Sequence, residues 1–185
     1  MKIVKRDDIV DYETYRESRD RTRKQVLSIK DQRRVHLGEN LTFLFENHAT
    51  IQYQVQEMML AEKIVKEKDI QHEIKTYNQL LGEPGDLGCT LFIEFHDPAE
   101  RDAHLRKWLD LPRHLYLVLE NGNKAYGKFD PTQIGEDRLS SVQYITFPVD
   151  SVPPIKIGCD FELYNIESEL SEVQKKALAS DLKDL

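Results

Sequence analysis

Cysteine is nearly missing from this chain: among 185 residues there are two, Cys89 and Cys159. So low a count excludes a disulfide framework and a paired CxxC metal site. Each cysteine falls in an alternating apolar segment, on the side of Leu91 and Ile93 or of Ile157 and Phe161, and reads as a small buried hydrophobe. No apolar run approaches the roughly 18 residues of a membrane-spanning helix. The opening residues MKIVKRDD lack the apolar core of a signal peptide, so the expected compartment is the reducing cytoplasm. A Walker A loop, GxGxxG, HExxH and GxSxG are all absent, which removes the best-specified nucleotide, zincin and hydrolase signatures. There is also no internal repeat and no low-complexity tract.

What is present is a soluble globular composition, with 32% charged and 39% hydrophobic residues. A chain of this length suits one domain and buries roughly 70% of its extended surface without a staple. The net charge is -7 and the pI about 5.4, so phosphate is repelled at long range and nucleic acid is disfavoured as a partner. The charge is uneven. Residues 16–34 are basic, with Arg19, Arg21, Arg23, Lys24, Lys30, Arg33 and Arg34. The end is acidic, with Glu167, Glu169, Glu172, Asp181 and Asp184. These are either two solvated helix faces or surfaces that pair, head to tail or between subunits.

Residues 33–64 are the most informative stretch. A helix is predicted over 11–31, with Asp11 as N-cap. The period then drops to two. Val35 and Leu37, then Leu41, Phe43 and Phe45, then Ile51, Tyr53 and Val55 alternate with polar residues, which predicts a three-stranded meander with one wet face. Helices are predicted over 54–66 and 69–81, followed by a break at residues 82–88, GEPGDLG, the one place where the chain could divide. The second half reads as a strand at 89–96 and a helix opened by Asp97-Pro98-Ala99-Glu100. Strands follow at 115–119, 124–129, 142–149 and 155–163, then a closing helix over 171–181 with Ser171 and Gln174 as capping box. Strands in runs, joined by hairpins, give a single α+β domain of antiparallel meander and hairpins packed with about five helices.

Two groups of residues could carry chemistry. On a helix beginning near Val55, Glu62 shares a side with Met58, Met59 and Val65. A carboxylate there must be paired, protonated or bound to a cation. Glu73 flanks the apolar stripe of the next helix. If the two helices form a hairpin, Glu62 and Glu73, completed by His72 or His36, could hold a divalent metal. The weakness is that His72 points away from that stripe and that Asp69-x-x-His72 is the sole approach to the paired Glu-x-x-His pattern. The second group is Arg34 and His36 with Gln52 and Gln54, which could line a sheet face and hold a small anion. His96, His104 and His114 read as structural or exposed.

The pieces RRVHLG, LFENHATI, QVQEM and the TYN of Thr76, Tyr77 and Asn78, followed by a Gly-Pro-Gly loop and CTLFIEF, resemble the bacterial domain-of-unknown-function family 3501 over most of the chain. The resemblance implies no agreed catalytic residue, only a context near rubrerythrin-type and iron-sulfur redox proteins. Together these readings predict a cytoplasmic, non-catalytic accessory protein that binds a protein partner or itself. The alternative is a metal-dependent redox or hydrolytic enzyme using Glu62 and Glu73.

Overall fold

The computed structural model describes residues 2–183; Asp184, counted above with the acidic end, lies outside them. Helix α1 spans Tyr12–Asp31, started by the Asp11 carboxylate, which accepts from the backbone N–H of Glu13 and Thr14. Strands β1 (Arg34–Leu37) and β2 (Leu41–Phe45) form a hairpin with His36 opposite Thr42. Residues 51–56 are not the expected third strand. They lie inside α2, His48–Glu62, because Asn47 caps it: its side chain accepts from Thr50 N, and Thr50 Oγ1 accepts in turn from Asn47 N. Ile51, Val55 and Met59, four apart, then bury one helix face.

Helix α3 (Glu67–Asn78) runs through a 3-10 turn at Gln79–Leu81 into β3 (Leu87–Ile93). After α4 (Pro98–Lys107) come β4 (Leu115–Leu119), β5 (Lys124–Tyr126), β6 (Val142–Phe147), β7 (Pro154–Phe161), β8 (Tyr164–Glu169) and α5 (Glu172–Asp181). Strand β8 was not foreseen.

The strands make two antiparallel four-stranded sheets, ordered β1-β2-β3-β6 and β5-β4-β7-β8. The first sheet takes two strands from each side of the loop at residues 82–88. The main core lies where Val35, Phe43, Phe45, Leu91 and Phe147 of one sheet meet Leu117, Ile157 and Cys159 of the other, with Leu105 of α4 and Leu178 of α5 added. The face of β2 expected to be wet is closed: Thr42, Leu44 and Glu46 are all buried. Thr50 of α2 and Thr90 of β3 both donate to the Glu46 carboxylate, at 2.6 and 2.8 Å. A second, smaller core gathers Val4, Ile9, Ile51, Val55, Met59, Ile70 and Ile74 around α2 and α3.

Three amide side chains pin the N-terminal segment across these helices. Gln52 donates to Asp8 O, while Gln56 and Asn78 each pair with both backbone groups of one residue, Val10 and Val4. Helix α1 is fixed to α2 by Glu57, whose carboxylate accepts two bonds from Arg19 and one from the Tyr15 hydroxyl. Those Arg19 bonds, helped by Tyr15, hold the Glu57 carboxyl below its ordinary value. A depressed carboxyl contributes stability that is present above its unfolded value and lost as pH falls through the folded one. The melting temperature should therefore drop more steeply between about pH 5 and about pH 3 in the natural protein than in Glu57→Gln, which lacks the titrating group.

Candidate functional site: an acidic cleft at one end of the first sheet

The residues expected to hold a metal do not form a site. Glu62 is exposed: it is the last residue of α2, three beyond buried Met59, and Lys63 in left-handed conformation turns the chain away. Val65, its supposed neighbour on an apolar face, is 70% exposed. The premise of a desolvated carboxylate is thereby overturned, and with it the support for a metal enzyme. Glu73 is half-buried and His72 exposed. Both Glu62 and Glu73 do approach Tyr77, whose hydroxyl is pushed up mainly by burial and further by the two negative charges, against a hydrogen bond from Gln54. No group of three His, Cys, Asp or Glu able to hold a metal ion occurs among the described residues.

The anion site fails for a different reason. Arg34 and His36 are on β1, but Gln52 and Gln54 are on α2, so no strand register joins them. Arg33, from the same basic run, instead pairs within the chain with Asp181 of the acidic end.

His36 nevertheless lies in a cleft. At one end of the first sheet, beside α4, a hollow of about 790 Å³ is lined by His36, Glu39, Asn40, Glu94, Phe95, His96 and Glu100. Three segments build it: the β1–β2 turn, the residues after β3, and the first turn of α4. The register sets them side by side, because Leu41 opposite Ile93 brings Asn40 next to Glu94. Glu94 N donates to Asn40 O, and Asn40 Nδ2 donates to Glu94 O. The turn is also held from the second sheet, since the Tyr164 hydroxyl donates to Leu37 O at 2.9 Å.

A hydrogen-bond relay fixes the tautomer of His36. The Thr42 hydroxyl has one proton and gives it to Glu94 Oε2 at 2.5 Å. Toward His36 Nδ1, 3.0 Å away, it can then only accept. His36 Nδ1 therefore carries a proton, and in the neutral ring Nε2 is left as an acceptor.

Glu39, Glu94 and Glu100 give the cleft three carboxylates, and its lining has no lysine or arginine. The potential there is negative, opposite in sign to what an anion at His36 would need. Phe95 forms an aromatic wall. It stacks on His104 at 4.5 Å and 21° and lies 5.5 Å from Trp108, which meets Tyr164 at 5.0 Å. The His104 ring is fixed as well, because Nδ1 lies 2.9 Å from Glu100 O, an acceptor, and so carries a proton. Carboxylates beside an aromatic face are the setting that ammonium and guanidinium groups enter most favourably.

The sequence reading missed Glu39, Glu94, Phe95 and Glu100 and set His96 aside as structural or exposed. The usable signal was the Gly38-Glu39-Asn40 turn, which places Thr42 opposite His36; the long-range pairing with β3 had no local signal.

A family model described as "Protein of unknown function (DUF3501)" matches residues 3–182. No curated protein matches the chain. Among solved structures, a "novel protein of unknown function" from Burkholderia pseudomallei K96243 is similar, with 27% identity and a TM-score of 0.88 over 97% of this chain and 99% of the other.

Proposed function

The chain belongs to the DUF3501 family of proteins of unknown function, and we propose that it acts there as a recognition protein without chemistry of its own. Its cleft takes a lysine- or arginine-bearing segment of a protein partner. The reading rests on one observation: three carboxylates and an aromatic wall share a cleft whose lining has no lysine or arginine. An entering cation meets charge of opposite sign on three sides and the face of Phe95, while His36 Nε2 and the Asn40 amide accept and orient its N–H groups. Two buried free cysteines agree with a reducing, cytoplasmic setting. A second copy of the chain also presents such groups, in exposed Arg21, Arg23 and Lys24 of α1, so self-association is one form of the same recognition.

The lone tryptophan, Trp108, reports on the site through Phe95. Titration with a short Arg-Lys peptide should change its fluorescence and give a saturating calorimetric isotherm, whereas a Glu-Glu peptide should give neither. Glu94→Gln with Glu100→Gln should weaken binding by about tenfold or more. Raising salt from about 50 to about 500 mM should weaken it as well, by screening. No isotherm with the basic peptide, together with a monomer by light scattering at low salt, overturns the reading.

A further inference from the structure

The Thr42 hydroxyl is committed on both sides. Its proton goes to Glu94 Oε2, and its oxygen receives the Nδ1 proton of His36. Thr42 is buried on β2 and does not itself line the cleft. Through it, the carboxylate of one segment decides which nitrogen of His36 is bare. The cleft therefore gains a ring acceptor, Nε2, beside the carboxylates of Glu39, Glu94 and Glu100. The Asn40 amide adds another, because Nδ2 is used on Glu94 O and Oδ1 remains. These acceptors come from three segments and do not converge on one point.

The aromatic wall is covered on one side. His104 stacks on Phe95, and Trp108 stands 5.0 Å from His104 on that same side. The face of Phe95 turned away from both is left to the cleft, so a flat group can lie on it with acceptors around its rim.

We propose that the cleft selects arginine, over lysine and over methylated cations, and that Thr42 is the positioning residue that sets this choice. The inference rests on the cation-binding reading above and names its ligand. A guanidinium is planar, stacks on an aromatic face and directs five N–H groups outward in its own plane. A lysine ammonium carries three N–H groups on one atom and meets fewer of these acceptors at once. A trimethylated ammonium has no N–H at all. It would strip water from His36 Nε2 and the carboxylates without a hydrogen bond in return, and one aromatic wall is no cage to offset that loss.

Calorimetric titration with three short peptides, alike except for one arginine, lysine or trimethyllysine, tests the ranking. Arginine should bind about tenfold more tightly than lysine, the worth of one charge-assisted hydrogen bond, and trimethyllysine more weakly still. Nitrogen-15 NMR of the His36 ring should find the proton on Nδ1 in the natural protein. Thr42→Val removes the acceptor for that proton. The ring should then shift toward the Nε2–H form, and the arginine preference should shrink by about threefold or more. Thr42→Ser keeps the hydroxyl and should retain both the signal and the preference. Should Thr42→Val fold poorly, the peptide ranking and the ring signal of the natural protein still decide. Lysine or trimethyllysine bound as tightly as arginine, a His36 proton found on Nε2, or an unchanged ring signal and preference in folded Thr42→Val overturns the proposal and leaves the cation-binding reading in place. Failure of all three peptides to bind overturns both.

Discussion

Replacing Arg33 by alanine should cost about 3–5 kcal/mol of folding stability, the usual loss when one member of a buried ion pair is removed. Arg33 and Asp181 are 7% and 3% exposed and stand 148 residues apart in sequence. Arg33 Nε and Nη2 donate to the two Asp181 oxygens at 2.7 and 2.8 Å, Nη1 donates to Ile29 O, and Asn47 Nδ2 donates to Asp181 Oδ1. This node joins the end of α1, the cap of α2 and the last residue of α5. Truncating Arg33 leaves the Asp181 charge desolvated with only the Asn47 amide to meet it. A domain of this size has about 5–15 kcal/mol in total, so urea unfolding should show the midpoint falling by about a fifth or more. The double change Arg33→Met with Asp181→Leu should recover most of the loss, because it removes both charges and keeps the volume. Equal midpoints for the natural protein and Arg33→Ala would mean that the pair is solvated.

That node also shows where sequence reasoning reaches and where it stops. The opposite charges of residues 16–34 and of the chain's end were visible as composition. Which arginine meets which aspartate was not, since the contact is made by tertiary packing across nearly the whole chain. Local signals were sufficient where one side chain decides the structure: Asp11, Asp97 and Ser171 each accept from backbone N–H groups of the helix they begin. Residues 51–56 misled because two periods coincide there. Ile51, Tyr53 and Val55 alternate with glutamines at a spacing of two, while Ile51, Val55 and Met59 recur at four. The Asn47–Thr50 capping box settles the choice, and it precedes the ambiguous run. Strand β8 was hidden because its exposed positions, Asn165, Glu167 and Glu169, are strongly polar and its other face carries Ser168; pairing with β7 makes it a strand. The acidic cleft was illegible for the same kind of reason. Glu39, Glu94 and Glu100 belong to three segments that only the register of β1, β2 and β3 brings together.

The second large effect is expected at Gly88, and packing rather than backbone conformation causes it. A Cβ there would stand 1.6 Å from Leu80 O, 2.6 Å from Leu80 C and 2.9 Å from Leu81 C. All three are backbone atoms of the 3-10 turn that leads from α3 into β3, so no side chain can swing aside. Strand β3 cannot retreat either: Gly88 lies opposite Thr146 of β6, and its carbonyl accepts from Glu46 N. Gly88→Ala should therefore cost about 3 kcal/mol or more, at or above the upper end for overpacking, which lowers the melting temperature by about 6–12 °C in a domain of this length. Gly122→Ala is the internal comparison. Its φ is +84°, yet a Cβ would meet nothing within 4 Å, so it bears only the left-handed penalty of about 1–2 kcal/mol. If the cost follows backbone conformation, Gly122→Ala will be the worse of the two; if it follows the close approach of the 3-10 turn to β3, Gly88→Ala will be, and the joint between the helical layer and the first sheet is as rigid as the distances require.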